Sequence, residues 1–211
     1  MIICSHHPIS SCKKLLFSST VISIKMEHLT DIAIEYYDLY KLPDNLSAFH
    51  HLCSLVTSQQ VPFATGRSIR KQLYIKAGFP LTQENLSTID LSSIKGLTND
   101  RKRVLLELCE LSSSNEDMIS QASKIKGIGP WTIKGANLLS NHPNVNLYED
   151  SYIRSRLSEY LKQTISQSQC KSLISECHPN ESEVSYCLWR ITKKGIKSIL
   201  NNKPLTKEDF L

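Results

Sequence analysis

Several absences narrow what this chain can be. Its seven cysteines (Cys4, Cys12, Cys53, Cys109, Cys170, Cys177, Cys187) form no C-x-x-C pair and no zinc spacing. That argues against a disulfide framework and fits a reducing compartment. Cys53, Cys109 and Cys187 stand inside apolar helical stretches, where a small thiol is expected to be buried. No segment is long and apolar enough to span a membrane. No run alternates with period two for long enough to argue for a sheet. The first 25 residues contain no acid at all, and their apolar stretch, Leu15 to Ile24, is short and lacks a small-x-small cleavage site. Three readings of them stay open: an organelle transit segment, a poor signal peptide, or sequence upstream of a start at Met26. In each case residues 1–25 are expected to lie outside the fold.

What is present is helical. With 40% hydrophobic residues the chain can bury one good-sized core, or two lobes sharing a cleft. Ile32, Ile34, Tyr37 and Leu39 predict a first helix ended by Pro43, and Phe49, Leu52, Cys53, Leu55 and Val56 a strongly apolar one over about 46–58. Pro62 disfavours helix at Val61 and suits the start of a new helix, which leaves Gln59 and Gln60 at a tip between two helices. Further helices are expected over 101–111, 115–124, 130–139, 151–162, 166–177 and 181–200, with a short turn near Leu91. The fold class is all-α.

The net charge of +5 is compatible with an acidic partner. Basic residues gather at Arg67/Arg70/Lys71, at Arg101/Lys102/Arg103 and at Lys193/Lys194/Lys197. Those opening the 101–111 helix oppose its dipole, an unfavourable placement unless they meet phosphate. The strongest local signal is the turn Lys126-Gly-Ile-Gly-Pro130 before a helix. Gly127 and Gly129 allow a sharp turn and close approach of another molecule, and Pro130 suits a first helical position. The N–H groups of Ile128, Gly129 and Trp131 are expected to face an anion, with Lys124, Lys126 and Lys134 nearby. A nucleic-acid backbone fits that chemistry.

Ile125-Lys-Gly-Ile-Gly-Pro-Trp-Thr132 resembles the hairpin of the helix-hairpin-helix DNA glycosylases, L-P-G-[IV]-G-x-x-T-A. Asn146-Leu-Tyr-Glu-Asp-Ser-Tyr-Ile-Arg-Ser-Arg156 is similar to the following segment that holds the family's catalytic aspartate. Leu55-Val-Thr-Ser-Gln-Gln-Val61 resembles the loop that fills the gap left by a flipped base, and Ser185-Tyr-Cys-Leu-Trp-Arg-Ile191 a late helix of the alkylbase (3-methyladenine) branch. These matches follow the family's order from about residue 48 to 192.

The resemblance implies a two-lobed helical fold with a DNA-binding cleft. One lobe would span about 48–140, including the hairpin 115–139, and the other 26–47 plus 141–211. It makes Asp150 the catalytic carboxylate, although a helix N-cap is an equally natural role for an Asp there; Glu149 ranks second. It assigns Gln60, with Gln59 beside it, to the wedge, where a polar tip facing water is the plainer reading. Phosphate contacts fall to Lys126, Gly127, Ile128, Gly129 and Thr132, and a monovalent cation (Na+ or K+) to the carbonyls of Ile125 and Ile128.

Trp131, Tyr186 and Trp189 are the base-pocket candidates, Trp131 because an aromatic face attracts a cationic methylated purine; a core tryptophan is the alternative. Lyase-capable relatives carry a lysine where this chain has Trp131, so the resemblance implies a monofunctional, water-using enzyme. Lys134, three residues on, reads as a surface or phosphate-facing charge. Cys170 and Cys177 reproduce one gap of the family's four-iron motif, but the next cysteine is missing, so no cluster is expected.

Gly135 and Thr192 replace aromatics expected in bacterial alkylbase enzymes, and their N-terminal β-domain is missing. These departures bear on substrate range more than on reaction type. The expected activity is hydrolysis of the N-glycosidic bond of alkylated purines (3-methyladenine, 7-methylguanine type) in double-stranded DNA, by a monomer in cytoplasm, nucleoid or nucleus, or in an organelle if residues 1–25 are a transit segment. The alternatives are a glycosylase for a mispaired or deaminated base, and a non-catalytic DNA-binding module.

Overall fold

The computed structural model of the protein describes residues 10–43, 45–111 and 115–211. In chain order the helices are α1 (Ser10–Glu35), α2 (Tyr37–Tyr40), α3 (Ala48–Val56), α4 (Phe63–Ala77), α5 (Gln83–Ser87), α6 (Asn99–Cys109), α7 (Asn115–Ala122), α8 (Pro130–Leu139), α9 (Ser151–Leu161), α10 (Gln167–Ser175), α11 (Glu181–Arg190) and α12 (Lys193–Leu200). Among the described residues the only extended pairing is an isolated bridge between Ile191 and Phe210. The protein is all-α.

The chain forms two compact units, one contiguous (Lys41–Asp150) and one built from both ends of the chain, through Tyr40 and from Ser151. The divisions thus fall at 40/41 and 150/151, where the sequence reading put them at 47/48 and 140/141. Asp150 ends the contiguous unit.

That unit is organised around α3. Ser47 caps the helix, its hydroxyl accepting from the His50 N–H at 3.3 Å. Phe49, Leu52, Cys53, Leu55 and Val56 are all buried, because α3 packs against α6, α7 and α8 rather than against one neighbour. Each such side chain contributes about 1.5–3 kcal/mol by leaving water. The five-residue α5 escaped the sequence reading because it is too short to show a period; a capping box between Thr82 and Asn85 defines it. At its start the Gln83 amide donates to the carbonyls of Cys109 and Leu111, at 3.0 and 2.7 Å, closing the end of α6.

In the other unit α1 packs on α11, and α11 on α9 and α10. The Tyr40 ring stands edge-on to Tyr37 and Tyr186 and beside Phe210, and its hydroxyl donates to the Ala33 carbonyl. The single helix expected over 181–200 is broken. Ile191 is extended, and the Thr192 hydroxyl accepts from the Gly195 N–H at 3.1 Å, opening α12 as a new helix. The first helix is also longer at its N-terminal side than predicted. Helix α1 starts at Ser10, inside the segment expected to lie outside the fold, and the Tyr160 hydroxyl donates to the Lys25 carbonyl at 2.8 Å. The buried face of α1 begins at Met26, followed by Leu29, Ile32 and Ala33. Residues 1–9 of that segment, Cys4 among them, lie outside the described residues.

Candidate active site in the contiguous unit

The Gly turn joins α7 to α8. Gly127 has φ +106°, a conformation that side-chain-bearing residues avoid, and the Ile128 N–H donates to the Ile125 carbonyl at 3.0 Å to close the turn. Gly129 is the N-cap of α8 with φ −99°, Pro130 takes the first helical position, and the N–H groups of Thr132 and Ile133 return to the Gly129 carbonyl. A Cβ on Gly127 would lie 3.1 Å from Val104 Cγ2, whereas one on Gly129 would meet nothing within 4 Å. The two glycines therefore serve different ends. Gly127 is required by the fold of the turn, and Gly129 leaves space open to solvent.

Two expected phosphate contacts need correction. The Ile128 N–H is committed inside the turn and its side chain is buried, so it presents nothing to an anion. Thr132 is buried as well, its N–H bonded to Gly129 and its hydroxyl accepting from the Gln59 amide at 2.7 Å. Of the expected contacts, Lys126 and Gly127 are exposed and Gly129 is half-buried.

Beyond α8 the chain brings two candidates together. The Trp131 indole Nε1 donates to Asp150 Oδ2 at 2.8 Å, between residues nineteen apart in the sequence. Asp150 is 9% exposed and its N–H donates to the Leu147 carbonyl at 2.9 Å, so backbone and side chain are both held. A carboxylate fixed by a charge-assisted hydrogen bond in a nearly dry setting keeps its field where water would otherwise screen it. Trp131 is half-buried, neither a sealed core residue nor a free ring.

Glu149, the second-ranked acid, is tied elsewhere. The Lys134 ammonium bonds Glu149 Oε1 and lies 4.8 Å from the centroid of the Tyr148 ring. Burial alone would raise the Glu149 carboxyl, but the hydrogen bond and charge of Lys134 hold it below the usual carboxylate range. Lys134 thus serves Glu149, a role that its place three residues after Trp131 did not reveal.

At the α3–α4 tip the two glutamines part company. Gln60 is exposed with φ +49°. Gln59 turns inward within the unit, its amide donating to the Gly127 carbonyl at 3.0 Å as well as to Thr132. Arg101 donates to the Gln59 carbonyl, and Arg103 donates to the Lys126 carbonyl at 2.7 Å while pairing with Glu107. These arginines were expected to need phosphate because they open a helix. Instead carbonyls of neighbouring loops take their charge, and Thr98 and Asp100 supply the cap and the acid at that terminus.

Of the other pocket candidates, Tyr186 is 2% exposed in the aromatic core of its unit, edge-on to Tyr37 and Tyr40, and Trp189 is half-buried on the same helix. Thr192 caps α12.

No protein family and no curated protein sequence matches the chain. Solved structures do share its all-helical architecture. The 3-methyladenine DNA glycosylase Mag1 of Schizosaccharomyces pombe, solved in complex with abasic DNA, superposes with a TM-score of 0.61 at 19% identity, over 78% of this chain and 94% of that one. A DNA-3-methyladenine glycosidase from Bacillus halodurans superposes with a TM-score of 0.52 at 18% identity, over 80% of this chain and 84% of that one. At these identities the likeness is one of fold.

Proposed function

We propose that the protein is a monofunctional DNA glycosylase that hydrolyses the N-glycosidic bond of alkylated purines of the 3-methyladenine and 7-methylguanine type in duplex DNA. The observation that carries this reading is the Trp131–Asp150 hydrogen bond beside an exposed Gly turn. A protein that only grips phosphate has no use for a buried, oriented acid near the backbone it must attract. The abasic DNA held by Mag1 supports DNA as the partner.

In this reading Lys126, Gly127 and Gly129 anchor the phosphates, Gln60 occupies the space of the extruded base, and the Trp131 ring contributes to the pocket. As the C1′–N bond breaks, its electron pair leaves with the base, so a cationic methylated purine departs neutral. Asp150 stabilises the oxocarbenium character left on the sugar. A water oxygen forms the new bond to C1′, and its proton passes to the Asp150 carboxylate. The indole N–H fixes Oδ2 and so sets the carboxylate plane. A monovalent cation on the Ile125 and Ile128 carbonyls would add positive character to the same turn. The Ile125 oxygen, which already accepts one N–H, keeps a second lone pair for it.

Base release from duplexes each carrying a single defined lesion, with and without alkali, tests the proposal. Release of methylated purine leaving an intact abasic strand supports it. Strand scission without alkali, or a protein–DNA adduct trapped by borohydride, contradicts the water-using assignment, since position 131 offers no amine.

A further inference from the structure

The bonds around Gln59 form a closed ring that the reaction above does not use. One nitrogen, Gln59 Nε2, donates to the Gly127 carbonyl at 3.0 Å and to the Thr132 hydroxyl at 2.7 Å, spanning the turn and the first coil of α8. The Gln59 carbonyl accepts from Arg101, and two residues along α6 Arg103 holds the Lys126 carbonyl at 2.7 Å. The start of α6 thus grips the α3–α4 tip with one guanidinium and the hairpin turn with the other, while Gln59 joins tip to turn directly. From the other side the Ser58 hydroxyl accepts from Arg70 and donates to the Ser54 carbonyl at 2.9 Å. The next residue of the tip, Gln60, is exposed, in a left-handed conformation.

We infer that Gln59 is a positioning residue that couples the anchored hairpin to the insertion of Gln60. The inference rests on the glycosylase reading and adds to it. Holding a base out of the stack costs a few kcal/mol, and a tip that yields cannot oppose the base's return. The phosphate-holding turn is the part of the unit fixed on the DNA. Through Gln59 its position is passed to the residue that fills the gap, and the Arg101–Arg103 pair keeps tip and turn from sliding past each other. Gln59 itself touches no DNA in this scheme. Its effect is felt through Gln60.

Gln59→Met keeps the volume and removes both donated bonds; Arg101→Met removes the bond to the Gln59 carbonyl from the other side. Single-turnover excision is measured on one lesion in two duplexes, correctly paired and mispaired, since a mispaired base needs less work to open. The expected result is about a tenfold slower release from the paired duplex for each variant, the effect of losing one or two hydrogen bonds of the ring. On the mispaired duplex the rate recovers most of the way to wild type. Equal loss on both duplexes shows that Gln59 merely supports the fold, and no loss on either shows that the ring transmits nothing; both overturn the inference. Should Gln59→Met fail to fold, Arg101→Met carries the comparison alone. If the wild-type protein releases no base from any duplex, the glycosylase reading has failed instead.

Discussion

Substituting the two turn glycines separates a requirement of the fold from a requirement of the partner. At Gly127 the backbone sits at φ +106°, and an added Cβ would press on Val104 Cγ2 at 3.1 Å. Alanine there costs about 1–3 kcal/mol in backbone strain before Val104 moves. For a chain of this size each kcal/mol lowers the melting temperature by about 2–4 °C, so Gly127→Ala is expected to melt roughly 5 °C lower. Gly129 has φ −99° and no neighbour within 4 Å of the missing Cβ, and it caps α8 without a side-chain bond. A serine there is at home: as an N-cap it is better than glycine by a few tenths of a kcal/mol. Gly129→Ser should therefore melt at or slightly above the wild-type temperature. Yet its side chain stands where the reading puts a DNA backbone, and affinity should fall about tenfold for damaged and undamaged duplex alike, because a phosphate contact is blind to the base. Thermal melting and equilibrium binding at one fixed salt concentration measure both effects. If Gly129→Ser binds undamaged duplex as tightly as wild type, no backbone approaches the turn, and the phosphate-anchoring argument is refuted.

Three further expectations follow from the site and its surroundings. Asp150→Asn should lower single-turnover base release by about 100-fold or more, the usual effect of losing a group that stabilises developing charge, while duplex binding is retained or tightened; near wild-type release would transfer the role to another residue. Trp131→Phe keeps an aromatic face but removes the N–H on Asp150, a charge-assisted bond worth about 1.5–3 kcal/mol, so release should slow by about 10–100-fold with lesion affinity largely kept. An unchanged rate would mean that the carboxylate is held without the indole. Burial, and then the nearby Arg70, push His50 down to about 4, and its Nδ1 accepts the Leu81 N–H at 3.1 Å, which a protonated ring cannot do. An unfolded histidine titrates near 6.5, so the stability from keeping His50 neutral is fully present above that pH and is lost as pH falls toward 4. About 2–3 kcal/mol is at stake, and a melting temperature that stays level between pH 7 and 4.5 would refute this account.

The reach of the sequence follows the range of the interactions. The turn and most helices were legible because glycine placement, prolines and apolar spacing act within a few residues, whereas Asp150 was singled out by resemblance alone. The break at Thr192 was missed because a capping threonine in an otherwise periodic run looks like any polar residue on a helix face. For Gln59, Arg101, Arg103 and Lys134 the partners were not legible, for a different reason. Each is a polar side chain whose partner lies far along the chain, as Gln59 does from Gly127, and such pairings leave no local period to read. The Trp131–Asp150 contact stood between the two cases. Both residues were singled out, but as an aromatic face and a separate acid, and the bond between them came only with the structure.

The division of the chain also sets an order of events at synthesis. The contiguous unit, Lys41–Asp150, is complete in sequence once its last residue has emerged. The other unit cannot close until the far end of the chain arrives, because the apolar face of α1, Met26, Leu29, Ile32 and Ala33, waits for α11. Joining them means closing a loop as long as the whole contiguous unit, and the entropy of that closure grows only with the logarithm of its length. A newly made chain thus has the residues of its carboxylate, hairpin and tip in hand before α1 meets α11.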